Sequence, residues 1–251
     1  MTYLFIEPEQ LRHGRVTVTG ADAHHLSRVL RCRVGEEVIL ADGRGQRYRS
    51  RIVALRRETV TLEVLHTLEP PPPLPVEVTL CQAIAKGEKM DWIVQKATEV
   101  GVARVVPVLT EHTVVRVRTP EEAARKQARW QRVAKEAAQQ SRRPTLPEIA
   151  PPERLERACR WVEVADLALL CNAAEEQPVR PVLRQMASQV GAANPARVTL
   201  FVGPEGGFSP AERGMLTAAG AVSVSLGPTI LRTETAALVA LALVMYEFGE
   251  G

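Results

Sequence analysis

The chain has 251 residues, of which 45% are hydrophobic and 24% charged. This length accommodates one large domain or two smaller ones, and the composition excludes wholesale disorder because it allows a buried core. The net charge of +3 hides an asymmetry, since residues 12–57 carry 11 arginines against four acidic residues. Guanidinium groups bind phosphates and base edges bidentately, so this cluster favours a nucleic-acid partner. A genome biased toward arginine would explain the whole-chain ratio of 27 arginines to 5 lysines equally well.

Four scattered cysteines, Cys32, Cys81, Cys159 and Cys171, form no CxxC pair and have no histidine at metal-ligand spacing. Their pattern argues against a zinc site and a disulfide framework, and it suits a reducing cytosol. No basic segment followed by an apolar stretch begins the sequence, and the longest apolar run, 236–245, is too short to span a bilayer. We therefore expect a soluble, cytoplasmic protein without a bound metal.

Short β-like stretches, separated by turn residues such as Asp42 and Gly43, dominate the first 70 residues. One helix is predicted at 21–31, and the predicted strands are 3–7, 15–19, 37–41, 48–55 and 59–65. Many short strands with turns between them indicate a small β-barrel, which we assign to residues 1–70. A proline run follows. Since consecutive prolines favour an extended conformation, we expect residues 71–75 to form a semi-rigid linker.

From residue 76 onward the pattern changes to apolar strands that alternate with helices. The predicted strands are 76–83, 105–109, 167–171, 198–202 and 221–226, and the predicted helices are 88–100, 120–140 and 236–245. Apolar strands joined by helices indicate a parallel sheet covered on both faces, and so an α/β domain over residues 76–251. The last helix has no polar face, so we expect it to be covered all round, by the core or in part by a subunit interface.

A glycine-rich turn, GPEGGFS at 203–209, follows a predicted strand and directly precedes a helix. Ser209 can cap that helix, Pro210 suits its first position, and Glu212 completes a capping box. The three glycines of the turn let backbone amides approach a ligand closely at the carboxyl end of a strand, where α/β proteins bind ligands. A tight turn that uses glycine only for its geometry is the alternative.

A second turn, LGPTILRTETA at 226–236, also follows a predicted strand and precedes a helix. Arg232 lies just before that helix. Because a buried arginine is costly unless it is paired, we expect Arg232 either to pair with a carboxylate such as Glu234 or to face a substrate. Neither turn continues into Gly-Lys-Ser/Thr, and the chain has no GxGxxG, so phosphate-loop and dinucleotide-binding fingerprints are missing.

The two turns together resemble the signature of the RsmE family, the 16S ribosomal RNA uridine-N3 methyltransferases of the SPOUT superfamily. Other stretches are also similar to family motifs: HHLSRVLR at 24–31, VGE at 34–36, KGEKMDW at 86–92, QKATEVG at 95–101 and EAAQQSRR at 136–143. The resemblance covers essentially the whole chain, and its motifs occur in order at matching spacing. The segment at 170–175 is a looser version of the family's first cofactor loop.

This resemblance implies a SPOUT-type α/β domain with a deep C-terminal trefoil knot, preceded by a PUA-like β-barrel that holds RNA. It also implies S-adenosylmethionine as methyl donor and a homodimer with active sites at the interface. The implied substrate is 16S ribosomal RNA in the assembled small subunit. The residues that the family pattern places around the adenosine are Leu170, Gly203, Gly207, Leu226, Gly227 and Leu231.

Two side chains are candidates for the chemistry of such a methyl transfer. Arg232 is expected to stabilise negative charge that develops on O2 and O4 of the uridine. Glu205 is a candidate proton acceptor or cofactor-orienting carboxylate, although it could equally accept backbone hydrogen bonds within its own loop. The candidate RNA contacts are Arg28, Arg31, Arg33, Arg47, Arg49, Arg51, Gln140, Arg142 and Arg143.

Two other functions remain open from the sequence. One is a SPOUT methyltransferase that modifies the ribose 2′-oxygen of RNA. The other is a non-catalytic RNA-binding protein in ribosome assembly, although the intact turns at 203–207 and 227–236 argue against it. A third interpretation is a protein with a phosphate-binding loop, but the two turns lack the lysine that such a loop needs.

Overall fold

The computed structural model describes residues 2–189 and 195–249. The chain divides into two compact units. The first contains residues 1–72 together with Ala138–Leu146, and the second contains Pro73–Ala137 and residues 147–251. The first unit is therefore discontinuous in sequence, which the proline run alone did not predict.

The first unit is built on a six-stranded sheet with the order β1-β4-β5-β6-β3-β2. Its strands are β1 (Thr2–Phe5), β2 (Leu11–Arg12), β3 (Arg15–Thr19), β4 (Glu37–Ala41), β5 (Arg47–Leu55) and β6 (Thr59–Leu68). Only the β1–β4 pair is parallel. The inward side chains of five strands form one buried cluster, and register shifts in β5 bend the sheet around it. A sheet that encloses its own core is the arrangement expected of a small barrel.

Between β3 and β4 the chain forms α1 (Gly20–His24), which continues into a π-helical turn at His25–Val29. The helix predicted at 21–31 is thus shorter and irregular at its C-terminal end. Arg31 has a φ of 53°, a left-handed conformation that an α-helix cannot contain. A 3₁₀ turn at Pro8–Gln10 lies between β1 and β2.

The second unit contains a seven-stranded sheet in which every pair of strands is parallel. Its strands are β7 (Val76–Ala83), β8 (Arg104–Leu109), β9 (Glu148–Ile149), β10 (Glu153–Arg154), β11 (Leu167–Cys171), β12 (Ala196–Val202) and β13 (Val222–Val224). The order is β10-β8-β7-β12-β11-β13, with β9 also paired to β8. The predicted parallel α/β sheet is therefore confirmed, and β12 lies between β7 and β11 because the chain crosses over.

Helices cover both faces of this sheet, and each face has its own buried cluster. They are α2 (Lys89–Val100), α3 (Pro120–Gln140), α4 (Leu155–Ala158), α5 (Arg160–Glu163), α6 (Val179–Ala187), α7 (Pro210–Ala218) and α8 (Thr233–Phe248). In α2 the buried residues Met90, Ile93, Val94 and Ala97 recur at helical spacing, which gives the helix one apolar face. Gly101 ends it with a positive φ of 123°.

Helix α8 packs one face on the sheet through Ala237, Ala240, Leu241 and Val244. The single chain does not cover this helix all round, because Ala242 is exposed, and coverage in part by a subunit interface stays a prediction. The trefoil knot implied by the family resemblance stays a prediction.

Candidate active-site cleft

A cleft of about 540 Å³ lies at the carboxyl ends of the three neighbouring strands β11, β12 and β13. Most of its lining comes from the loops that follow these strands, at 171–174, 202–208 and 226–233, and Lys89, Arg213 and Ala236 complete it. Because the strands are parallel and adjacent, their three following loops meet at one edge of the sheet. A volume of this size suits a small-molecule ligand.

Most of the residues predicted for the site line this cleft. They are Glu205, Arg232, Gly203, Gly207, Leu226 and Leu231. Two others do not line it: Leu170 is fully buried in β11 next to the lining residue Cys171, and Gly227 follows the lining residue Leu226. The two glycine-containing turns, which are about 20 residues apart in sequence, thus form one site.

The turn at 203–209 is held in a compact shape that requires glycine at two positions. A Cβ atom on Gly203 would come within 3.1 Å of the Gly207 Cα, and Gly207 has a φ of 67°. The predicted capping box is confirmed, with the Glu212 carboxylate accepting a hydrogen bond from the Ser209 backbone N–H and the Ser209 side chain accepting one from the Glu212 N–H. The same carboxylate also accepts a 2.7 Å bond from the Glu111 N–H.

A buried hydrogen-bond chain connects the two turns beneath the cleft. Gln82, at the end of β7, donates a 2.9 Å bond to the Thr233 hydroxyl, which donates a 2.6 Å bond to the Gly203 carbonyl oxygen. Gln82 and Thr233 are both buried. Sequence reasoning assigned no role to Gln82, although an amide near the end of the apolar strand VEVTLCQA was a signal that could have found it.

Lys89 lies between two carboxylates at the rim of the cleft. Its Nζ is 3.1 Å from the Glu205 Oε1 and 3.3 Å from the Glu234 Oε2. Desolvation tends to raise the pKa of Glu205, but hydrogen bonds from backbone N–H groups and from Lys89 outweigh it and hold this pKa below its usual value. The hydrogen bond to Glu205 also raises the pKa of Lys89. Glu205 and Lys89 are therefore both ionised at neutral pH. Lys89 is a site residue to which the sequence assigned no role.

Arg232 occupies the N-cap position of α8 without capping the helix through its side chain. Glu234, its expected partner, is instead paired with Lys89. Within residues 2–189 and 195–249 the guanidinium group of Arg232 has no ion pair or hydrogen bond, and the residue is exposed at the cleft. Of the two roles expected for this arginine, the geometry favours facing a substrate.

The loop at 226–231 offers unbonded backbone groups to the cleft. The N–H groups of Leu226, Ile230 and Leu231 donate to no other part of the described chain, and their side chains add apolar surface. Unbonded amides beside apolar side chains suit a heterocyclic base, and the ionised Glu205 suits a nearby positive charge. The residues present therefore fit an adenosyl sulfonium.

Comparison of the sequence with known proteins identifies the family of this chain. Residues 72–245 match a family model described as an RNA methyltransferase domain, and residues 18–65 match an RNA methyltransferase PUA domain. Ribosomal RNA small subunit methyltransferase E from Synechocystis is 36% identical over 240 residues, covering 95% of this chain and 75% of that protein. The chain belongs to the RsmE family. The Bacillus subtilis member is 31% identical over 92% of this chain and 90% of its own.

Solved structures of similar proteins have the same fold and contain the cofactor. RsmE from Neisseria gonorrhoeae, bound to S-adenosylmethionine, has a TM-score of 0.81 with 31% identity, and covers 96% of this chain and 95% of that one. A putative methyltransferase from Legionella pneumophila, also with the cofactor bound, has a TM-score of 0.84 with 30% identity over 98% of both chains. These matches confirm the predicted SPOUT-type and PUA-like architecture of this RsmE family member.

The nine predicted RNA contacts all belong to the first unit. Arg49 and Arg51 are ion-paired with Glu37, and Arg47 donates to the Glu69 carbonyl oxygen. Arg28, Arg31 and Arg33 form no ion pair with any residue that the structure describes. Gln140, Arg142 and Arg143 follow or end α3, and burial lowers the pKa of Arg143 to about 10. Their contact with RNA stays a prediction.

The part of the chain that the structure describes has neither a metal-ligand cluster nor a membrane-spanning helix. No group of three or more histidine, cysteine, aspartate or glutamate side chains in it is placed to hold a metal ion. None of its helices combines the length and the apolar character needed to cross a membrane.

Proposed function

We propose that this RsmE family member transfers a methyl group from S-adenosylmethionine to N3 of a uridine in 16S ribosomal RNA of the small subunit. The observation that carries the proposal is that one cleft contains Arg232 together with Glu205 and Lys89, whose ammonium group also pairs with Glu234. The relatives named for ribosomal RNA small subunit methylation, and the neighbour solved with S-adenosylmethionine, support the same substrate and cofactor.

Methylation at N3 requires the protein to stabilise a uridine base that loses its N3 proton. When bound, S-adenosylmethionine supplies an electrophilic methyl group, and transfer forms an N3–C bond while the S–C bond breaks and the N3 proton is released. Negative charge develops on O2 and O4 of the uridine. The unpaired guanidinium of Arg232 lies at the cleft, where an electrostatic donor of this kind contributes on the order of 2.7–4 kcal/mol.

Glu205 has two candidate roles, and its surroundings favour the second. A proton acceptor works best when its pKa is near the working pH, whereas hydrogen bonds from Lys89 and backbone N–H groups hold the pKa of Glu205 below its usual value. A carboxylate that is ionised at neutral pH instead orients and attracts a positive charge. We therefore assign Glu205 to orientation of the sulfonium, with the released proton passing to solvent.

The adenosine is proposed to lie against the turns at 203–207 and 226–231. Gly203 and Gly207 allow close approach of the backbone, while Leu226 and Leu231 provide apolar contact. Leu170 and Gly227 belong to the same proposal through their backbone groups, beside the lining residues Cys171 and Leu226.

RNA is proposed to bind the first unit through its arginines, in particular Arg28, Arg31 and Arg33, which have no ion pair in the described chain. The match of residues 18–65 to a PUA domain of RNA methyltransferases supports this assignment. Assembled small subunits are proposed as the substrate, and the cytoplasm as the place of reaction.

The active molecule is proposed to be a homodimer with a trefoil knot at the C-terminus of each chain. Ile230 lines the cleft yet is 86% exposed, and Tyr246 on α8 is 76% exposed. Large exposed apolar side chains suit coverage by a second copy. Sedimentation analysis of the wild type and of Tyr246→Lys tests this point, since the variant should shift toward monomer.

Mass-spectrometric nucleoside mapping tests the proposed reaction. Small-subunit RNA from cells lacking the protein should lose one N3-methyluridine and regain it with the wild-type gene but not with the Arg232→Ala variant. A lost 2′-O-methylated nucleoside instead would support ribose methylation. An unchanged map, together with no calorimetric binding of S-adenosylmethionine, would support the non-catalytic RNA-binding alternative.

A further inference from the structure

A second cleft, of about 400 Å³, lies in the second unit beside the first half of α3. Ile84, Met90, Val115 and the buried Trp130 contribute apolar walls to it. Four cationic side chains, which we call the basic groove residues, also line it: Arg116, Arg125, Lys126 and Arg129. Positive charges beside low-dielectric walls focus their field on the space between them.

The acidic residues of this cleft already have hydrogen-bond partners within the chain. Asp91 accepts a hydrogen bond from the Arg129 Nε at 2.9 Å, and Glu122 accepts one from the Arg118 backbone N–H at 2.9 Å. By contrast, the side chains of Arg116, Arg125 and Lys126 have no ion pair or hydrogen bond within the described chain. With four cations and two carboxylates the groove has a net charge of +2, and three of its cations are available to a ligand.

This groove adjoins the active-site cleft along the chain. Lys89 lines the first cleft, and the next residue, Met90, lines the second. Consecutive Cα atoms are about 3.8 Å apart, so the linings of the two clefts meet at the start of α2. A polymer with one residue in the first cleft is long enough to extend into the second.

We propose that the basic groove binds phosphates of the RNA strand that flank the nucleotide to be methylated. This inference rests on the proposed function, because it takes the occupant of the first cleft to be a nucleotide. Three of the four groove cations are arginines, whose guanidinium forks match phosphate oxygens bidentately. The groove is separate from the nine RNA-contact candidates, all of which belong to the first unit.

The test is the salt dependence of RNA binding by a triple variant, Arg116→Gln/Arg125→Gln/Lys126→Gln. Each phosphate contact on a single strand contributes about 0.7 to the slope of log affinity against log salt, so removing three should make the slope less negative by about 2. The KM for small-subunit RNA should rise while kcat stays close to the wild-type value. Affinity for S-adenosylmethionine, measured by calorimetry, should not change.

A matched control removes the same charge from the same unit. Arg154, Arg157 and Arg180 are exposed, lie outside both clefts, and have no ion pair in the described chain. Their triple glutamine variant should keep the wild-type slope. If it loses as much slope as the groove variant, the effect is one of net charge and the proposal fails.

Other outcomes of these experiments also test the groove proposal. A groove variant with the wild-type slope overturns the groove proposal but leaves the proposed function intact, provided that the wild type methylates RNA. A groove variant with normal RNA binding that no longer self-associates would assign the groove to a second copy of the chain. A wild-type protein that neither binds nor methylates RNA overturns both proposals. Should the triple variant misfold, Arg125→Gln alone should still reduce the slope by about 0.7.

Discussion

The Thr233 hydroxyl donates a 2.6 Å hydrogen bond to the carbonyl oxygen of Gly203, and it accepts another from Gln82. Through this one hydroxyl, the first residue of α8 is connected to the end of β12. The loops that line the candidate active-site cleft are therefore fixed relative to each other by a buried polar contact, in addition to the packing of their flanking strands.

Replacing Thr233 by valine preserves its shape and removes this contact. The Gly203 carbonyl and the Gln82 amide then lose a partner, and a buried polar group without one costs about 1–3 kcal/mol. Chemical denaturation should show a loss of unfolding free energy in this range. Thr235→Val, on the exposed face of the same helix, is the matched control and should change it by less than about 0.5 kcal/mol. Equal losses in both variants would contradict the assigned role.

Arg232→Ala should reduce methylation without weakening cofactor binding. The change removes a donor that acts only as charge develops, so kcat should fall about 10²–10³-fold. Single-turnover methylation of small-subunit RNA measures the rate, and calorimetry measures the affinity for S-adenosylmethionine. Arg180→Ala, an exposed arginine outside the cleft, should be close to wild type. Parallel losses of rate and cofactor affinity in Arg232→Ala would place this residue in binding instead of chemistry.

Lys89→Met should make stability depend less on pH. The folded-state pKa of Glu205 is lowered, so the stability it contributes is present above its unfolded pKa and is lost as the pH falls through its folded pKa. The pKa of Lys89 is raised, so its contribution is present below its unfolded pKa and is lost as the pH rises through its folded pKa. The difference in unfolding free energy between wild type and variant should therefore be constant near neutral pH.

This difference should shrink in strong acid and in strong alkali, which denaturation at a series of pH values can measure. Lys89→Arg keeps the positive charge and should restore most of the unfolding free energy that Lys89→Met loses. The acidic limb of the methylation rate should also move to higher pH in Lys89→Met, because Glu205 loses a hydrogen bond while its desolvation remains. A pH profile identical to that of the wild type would rule out electrostatic coupling between Lys89 and Glu205.

The two residues of the capping box at the start of α7 should contribute unequally to the free energy of unfolding. Ser209→Ala removes one cap and should cost about 1 kcal/mol. Glu212→Ala should cost more, because the buried carboxylate accepts hydrogen bonds from the backbone N–H groups of both Ser209 and Glu111. Urea denaturation compares the two, with the exposed Glu156→Ala as the control. A smaller loss in Glu212→Ala than in Ser209→Ala would be inconsistent with these contacts.

The arginines of the first unit that have no ion pair in the described chain should contribute more to RNA binding than the ion-paired ones. Replacing Arg28, Arg31 and Arg33 by glutamine should make the salt slope of RNA binding less negative by about 2. Arg49→Gln/Arg51→Gln should have less effect per residue, because both guanidinium groups are already paired with Glu37. Fluorescence anisotropy with small-subunit RNA fragments measures both slopes. The reverse order would reassign the RNA-binding face to β5.

Much of the fold was predictable because its elements have strong local signals. The strand at 76–83, the helix at 120–140 and the strand at 167–171 have the predicted bounds, and the Ser209 capping box was recognised from sequence alone. Each of these depends on side-chain periodicity or on residues within one turn of each other. Most of the cleft residues were found in the same way, since glycine turns after apolar strands are themselves local features.

The features that the sequence did not reveal depend on distant partners. Gln82 and Lys89 lie in separate elements, and their roles arise only when β7 and α2 meet the turns that follow β12 and β13. The basic groove likewise combines Arg116 with residues of α3 and α2. The two-residue strands β9 and β10 are too short for an alternation pattern, and parallel pairing with β8 alone defines them.

The discontinuous first unit has a consequence for how the protein is made. Its buried cluster of Tyr3, Phe5 and Ala41 is completed by Ala138, with Leu146 packed against it. During synthesis, part of the apolar surface of the N-terminal barrel therefore stays exposed until residue 146 has left the ribosome. A fragment cut at the proline run would keep that surface exposed permanently, and we expect it to aggregate unless the 138–146 segment is added back.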